Sequence, residues 1–206
     1  MFANIDRILF PEECPVLEVE PGTRYIYPIF KNGSSSLFTQ NSFRPVTKQE
    51  LQSLSVIEVF VRDPHERFLS GVQTYIDKSP SWADTRTLLY MIERYLYLNR
   101  HFCPQIYWLL NLSRFTDARY HLRPINELAT ELPHKLNKGS VDPIVKDFFK
   151  DNLQVKFFNE MDEVLTKNLI GQVCSLHDIM QTLRTHYDDL YDETFATAKT
   201  IANVLS

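Results

Sequence analysis

Two rhythms of apolar residues alternate along this chain: short unbroken runs, and longer stretches at helical spacing. Residues 24–30, ending in Ile26-Tyr27-Pro28-Ile29-Phe30, are a run of strand formers and predict a buried strand. Val56–Val61, with Ile57, Val59 and Phe60, predicts a second strand, interior and parallel to its neighbour. Between them, Thr47-Lys48-Gln49-Glu50 has the form of a capping box and should start a short helix that runs through Leu54. The clearest helix follows the second strand. Asp63 is a natural N-cap, Pro64 suits the first helical position, and Glu66 stands three residues after the cap. Phe68, Leu69, Val72, Tyr75 and Ile76 then fall on one face.

Beyond this point the pattern is coarser. A long helix rich in Leu, Tyr and Ile is expected over 84–100, stopped by Pro104. The stretch from there to Glu131 is mixed and shows no clear period. Helices are expected over 141–150 and most of 176–205, and a short strand at 155–158. Residues 1–22, punctuated by Pro11, Pro15, Pro21 and Gly22, look like an irregular lead-in, and 132–140 like a loop. Strands alternating with helices predict an α/β protein whose mainly parallel sheet is flanked by helices. A length of 206 residues suits one domain spanning the whole chain.

Composition narrows the partners more than the fold. The formal net charge is −4, so any basic surface has to be local, and neither a nucleic acid nor a membrane is expected as partner. Residues 1–10 carry no long apolar run, so neither a signal peptide nor a membrane span is read, and a cytoplasmic protein is expected. Cys14, Cys103 and Cys174 are far apart and odd in number, which fits reduced thiols better than a disulfide framework or a zinc knuckle. The histidines show no metal-ligand spacing, so no metal site is expected. Asp188-Asp189-Leu190-Tyr191-Asp192 has the form of a magnesium–diphosphate motif, but no second acidic cluster faces it. An acidic helix face explains it better, and the same holds for Glu160, Asp162 and Glu163.

Two segments carry candidate chemistry. Lys31-Asn32-Gly33-Ser34-Ser35-Ser36 leaves the first strand and leads into a helix-compatible stretch. Glycine lets backbone approach an anion, the loop amides and hydroxyls can point at it, and the lysine adds charge. The lysine precedes the only glycine, so this is not the loop of a nucleoside triphosphate kinase. A polar serine-rich turn uses the same letters. The second segment, Arg62-Asp63-Pro64-His65-Glu66-Arg67-Phe68-Leu69-Ser70, leaves the second strand. Arg62 sits at the sheet's C-terminal edge, where open α/β sheets bind ligands. Ser70 shares a helix side with Arg67. Alone, this is also what a capped amphipathic helix looks like.

Together the two segments resemble the paired signatures of sulfotransferases that use 3′-phosphoadenosine 5′-phosphosulfate (PAPS), in particular the carbohydrate sulfotransferases of heparan and chondroitin type. Lys31, Gly33, Ser34, Ser35 and Ser36 match the family's K-x-G-[ST]-[ST]-S loop. Arg62, Asp63, Pro64, Arg67 and Ser70 match its R-[DE]-P-x-x-R-x-x-S segment, about 30 residues later. His101-Phe102-Cys103-Pro104-Gln105 resembles the H-x-x-P-Q segment beside the acceptor, and His121-Leu122-Arg123-Pro124 repeats it poorly, with Ile125 where Gln belongs.

The resemblance implies a P-loop-NTPase-like three-layer sandwich. It implies an enzyme that moves a sulfuryl group from PAPS to a hydroxyl, with carbohydrates as the expected acceptors, and releases 3′-phosphoadenosine 5′-phosphate (PAP) without a metal. Lys31, Asn32, Gly33, Ser34, Ser35 and Ser36 would hold the 5′ end of the donor, and Arg62 and Ser70 its 3′-phosphate. Lys31 would also neutralise the leaving group, and His101 would act as general base, with Glu58, Asp117 and His121 in reserve. A non-catalytic nucleotide- or anion-binding module and a degenerate kinase remain the alternatives.

Overall fold

The structure is a computed structural model and describes residues 15–77, Thr87, Tyr90, 100–132 and 141–186. Its centre is a mixed six-stranded sheet in the order β3-β1-β2-β4-β5-β6. The strands are β1 (Leu17–Glu20), β2 (Arg24–Ile26), β3 (Arg44–Pro45), β4 (Val56–Val61), β5 (Arg119–Pro124) and β6 (Val173–Cys174). The described helices are α1 (Ser34–Phe38), α2 (Lys48–Gln52), α3 (Pro64–Ile76), α4 (Gln105–Leu112), α5 (Ile125–Glu131), α6 (Pro143–Phe149), α7 (Leu153–Glu163) and α8 (Leu176–His186).

The expected sheet was mainly parallel, and this is corrected. Among the described residues only β2, β4 and β5 run parallel, in register Ile26 with Glu58 and Ile57 with Tyr120. β1 pairs antiparallel with β2 and β3, and β6 pairs antiparallel with β5. The antiparallel flank arises because the supposed lead-in contains β1, which turns back into β2 through Pro21-Gly22-Thr23. Gly22 sits at φ 71°, a left-handed turn conformation that glycine adopts at no steric cost.

Alternation along β4 divides the core. Ile57, Val59 and Val61 face α4, α7 and α8, packing with Tyr120, Leu122, Ile106, Leu109 and Met161. Phe60 faces the other way, with Ile26, Leu37 of α1 and Leu128 of α5. A further apolar cluster joins α3 to α6 and α7 through Phe68, Val72, Phe149 and Val155.

The capping signals work as expected. Thr47 and Glu50 form the reciprocal box before α2, and the Asp63 carboxylate accepts from the Glu66 amide at the start of α3. The strand expected at 155–158 is instead part of α7, whose first turn is capped by Asn152. Val155 and Phe158 are one helical turn apart, and so short an apolar run fits either element. The mixed stretch after Pro104 contains α4, β5 and α5. Most of the helix expected over 84–100, the expected loop beyond Leu132, the stretch 187–205, Cys14 and the acidic run at 188–192 lie outside the described residues; Thr87 and Tyr90 are helical. Cys103 and Cys174 are free and buried. Among the described residues, no helix is long and apolar enough to cross a membrane.

Candidate functional site

Parallel strands put their C-terminal ends on the same sheet edge, so the chain leaving β2 and the chain leaving β4 emerge side by side. After Ile26 the backbone stays extended, and the Tyr27 amide donates to the Glu58 carbonyl at 2.9 Å. It then turns at Lys31, whose φ of 71° lies in the left-handed region, and at Gly33, at φ 80°. A residue with a Cβ pays about 1–2 kcal/mol for that conformation, so the turn has to be held from outside.

Four side-chain contacts hold it. Nδ2 of Asn32 donates to the Phe60 carbonyl at 2.9 Å and to Oε1 of Gln105. Arg62 Nη1 donates to the Lys31 carbonyl at 3.3 Å, and Arg67 Nε to the Phe30 carbonyl at 3.0 Å. Asn32 is fully buried, and its Oδ1 has no hydrogen-bond partner among the described residues. α1 opens directly after the turn, with Gly33 as N-cap and no capping side chain. Ser34 and Ser36 are buried, whereas Ser35 is exposed.

The second segment crosses the first. Lys31 Nζ donates to the Thr74 hydroxyl at 2.6 Å, one turn beyond Ser70, and that hydroxyl donates to the Ser70 carbonyl at 3.0 Å. Arg62 also makes a long ion pair with exposed Glu66, at 3.5 Å. Lys31 and Arg62 therefore meet at one edge, and Thr74 links Lys31 to the backbone carbonyl of Ser70.

His101 packs between Phe30, which precedes the turn, and Tyr75 of α3. It is half-buried, with ring centroids 5.6 Å from Phe30 and 5.3 Å from Tyr75, and its Nδ1 lies 3.5 Å from the Tyr75 hydroxyl. The approach depends on Gly71 of α3. A Cβ there would run into the His101 carbonyl oxygen and stand 3.0 Å from Cδ1 of Phe102.

The buried, structural roles of several residues that build the site were not legible in advance. Arg67 is 2% exposed and donates to the carbonyls of Phe30, Cys103 and Arg100, tying the turn to the segment that carries His101. Burial pulls its guanidinium below the ordinary value, opposed by the Asp162 carboxylate. Gln105, the last letter of the H-x-x-P-Q match, is wholly buried and so faces no acceptor. Asp162, expected on a solvated acidic face, is 2% exposed; its place beside Met161 and ahead of Val164 and Leu165 was the available signal. Arg100 stacks its guanidinium 4.7 Å from the Phe30 ring centroid. Lys31, Arg62, Arg67 and Arg100 thus gather basic charge locally in a chain of net charge −4.

The reserve bases lie elsewhere. Glu58 is mid-strand and bound by Arg24 and Arg123, and His121 stands opposite it in β5. Asp117 precedes β5, at the N-terminal edge of the parallel strands. Burial pushes the Cys103 thiol up to about 11, so it is no nucleophile at neutral pH. No protein-family model, curated protein or solved structure matches the chain.

Proposed function

We propose that this protein is a PAPS-dependent sulfotransferase acting on a hydroxyl, with carbohydrates as the favoured acceptor class, built on a P-loop-NTPase-like sandwich. The observation that carries the reading is the crossing of the two signature segments. Arg62 donates to the backbone of Lys31, and Lys31 reaches the helix that begins after Arg62. The donor set fits such a ligand, since the ammonium, the guanidinium, the first amides of α1 and the Ser35 and Ser70 hydroxyls all suit phosphate oxygens.

PAPS, when bound, supplies an activated sulfuryl group. On this reading Lys31 leaves Thr74 to neutralise charge building on the bridging oxygen, which makes it a transition-state contact. Arg62 and Ser70 read the 3′-phosphate. His101 takes the proton of the acceptor hydroxyl, with Tyr75 orienting the ring through Nδ1. Asn32 acts on the turn itself and not on the ligand, because its side chain is buried against Phe60 and Gln105.

One observation favours the binding-module alternative. His101 is half-buried between Phe30 and Tyr75, which suits a packing role as well as a base.

Calorimetric titration with PAP, with ADP as control, tests the proposal. The expected result is binding that needs the 3′-phosphate and that Arg62→Ala weakens by about 1.5–3 kcal/mol, the scale of a charged hydrogen bond. Equal binding of PAP and ADP, or an equal loss for both in Arg62→Ala, would overturn it. PAP binding without transfer to any hydroxyl would leave the module alternative.

A further inference from the structure

The Lys31 turn and the backbone of Arg62 meet on one side chain. Gln105 accepts from the Arg62 amide at 2.9 Å, donates to the Arg62 carbonyl at 2.8 Å, and accepts from Asn32 Nδ2. Gln105 is itself held from below. The Asp162 carboxylate of α7 accepts from the Gln105 amide at 2.6 Å and from the Ile106 amide at 3.0 Å. These are the first amides of α4, whose N-cap is Pro104, a residue with no side-chain acceptor. A carboxylate from another helix thus supplies the cap that α4 lacks.

We propose that Asp162 is a positioning residue of the Lys31–Arg62 site, acting through Gln105 to set the register in which Arg62 and the Asn32 turn meet an anionic nucleotide. The proposal rests on the nucleotide reading of that site. A carboxylate is the group this position needs, because two N–H donors converge on two oxygens. An amide, or a protonated acid, would turn one acceptor into a donor facing another donor.

Protonation falls within reach. Burial pushes the Asp162 acid up to about 6, while Arg67 and the two α4 amides oppose the rise. The charged and titratable groups set against it are the Arg67 guanidinium from α3 and the Cys103 thiol from the lead-in to α4. Its neighbour Glu163 in α7 is bound by Lys167. Acidification through about 6 therefore weakens the hold on Gln105 and loosens the site.

Two measurements test this. In the nucleotide-free wild type, followed by NMR from about pH 8 to about pH 5, the amide signals of Gln105, Arg62 and Asn32 should move together as Asp162 takes its proton. In Asp162→Asn they should hold the low-pH positions throughout. If Gln105 and Ile106 titrate while Arg62 and Asn32 stay still, the relay does not reach the site and the proposal fails. In the second measurement, Asp162→Asn should weaken PAP binding at about pH 8 by roughly five- to tenfold, one hydrogen bond's worth. The wild type should lose that advantage on acidification, and equally tight binding by the variant overturns the proposal. If the wild type binds no PAP, the nucleotide reading falls, and the NMR titration alone decides the relay.

Discussion

At the scale of single residues, the strain sits where the chemistry is proposed. Lys31 is the described non-glycine residue with positive φ, and its ammonium and its carbonyl are both engaged by the second segment. If Lys31 stabilises the leaving group, Lys31→Ala should lower turnover roughly 10²–10³-fold, the scale of one lost oxyanion donor, with PAP affinity much less affected. Unchanged single-turnover rates would remove it from that role. His101→Ala should nearly abolish transfer while sparing PAP binding, because the base contacts the acceptor and not the donor. Retained transfer would return His101 to a packing role between Phe30 and Tyr75. The residues expected at this edge were legible because loop chemistry is local: a glycine, a lysine and an arginine at strand ends announce themselves. Arg67 and Gln105 were legible only as letters of a motif and Asp162 not at all, because sequence alone does not distinguish a buried polar group from a solvated one. Only the fold brings the Phe30 and Cys103 carbonyls to Arg67, or the α4 amides to Asp162.

At the scale of elements, α3 is the hinge between the two halves of the site. Its apolar face packs on α6 and α7, with Phe68 and Phe149 edge to face at 5.0 Å, while its other side carries Ser70 and Thr74. Gly71 lies between, where the segment of His101 presses against the helix backbone. Alanine is the better helix former by up to about 1 kcal/mol. Here its methyl would meet backbone oxygen, so Gly71→Ala should instead destabilise by roughly 1–3 kcal/mol, the usual cost of overpacking. It should also reduce transfer more than PAP binding, by displacing His101. Thermal unfolding together with the two assays checks this, and a variant more stable than wild type would show that the contact yields freely. α3 was readable almost to its ends, since Asp63, Pro64 and Glu66 mark its start and five apolar residues mark its face. β5 was not. Only Tyr120 and Leu122 point inward, between Arg119, His121 and Arg123, and three charged or polar letters hide so short an alternation. The α7 segment failed in the opposite sense, because Val155 and Phe158 suit a strand as well as a helix.

At the scale of the whole molecule, one ionic lattice ties the parallel strands together on the face opposite α4. Glu58 of β4 accepts from Arg24 of β2 and Arg123 of β5, each at 2.8 Å. Glu131 of α5 binds the same two arginines at 2.9 and 3.0 Å, and Glu127 binds Arg123 at 2.7 Å. The lattice fixes the relative positions of β2 and β4, and those strands present Lys31 and Arg62 at their ends. Burial alone would raise the Glu58 acid, but the hydrogen bonds from Arg24 and Arg123 outweigh it and hold the group below its ordinary value of 4.5. A carboxylate whose folded value is depressed binds fewer protons in the folded state than in the unfolded one. Its contribution is then complete above the ordinary value and is lost as the pH falls through the folded one. Glu58→Gln should therefore cost about 1–2 kcal/mol at neutral pH, after allowance for solvent around Arg24 and Arg123. The deficit should shrink on acidification below about pH 4.5, as the wild type loses what the variant never had. Urea unfolding of both proteins across that range measures the difference directly. A deficit that stays constant into acid would mean that Glu58 acts through packing and not through its charge, and the lattice would then have no electrostatic part in aligning the two strands that carry the site.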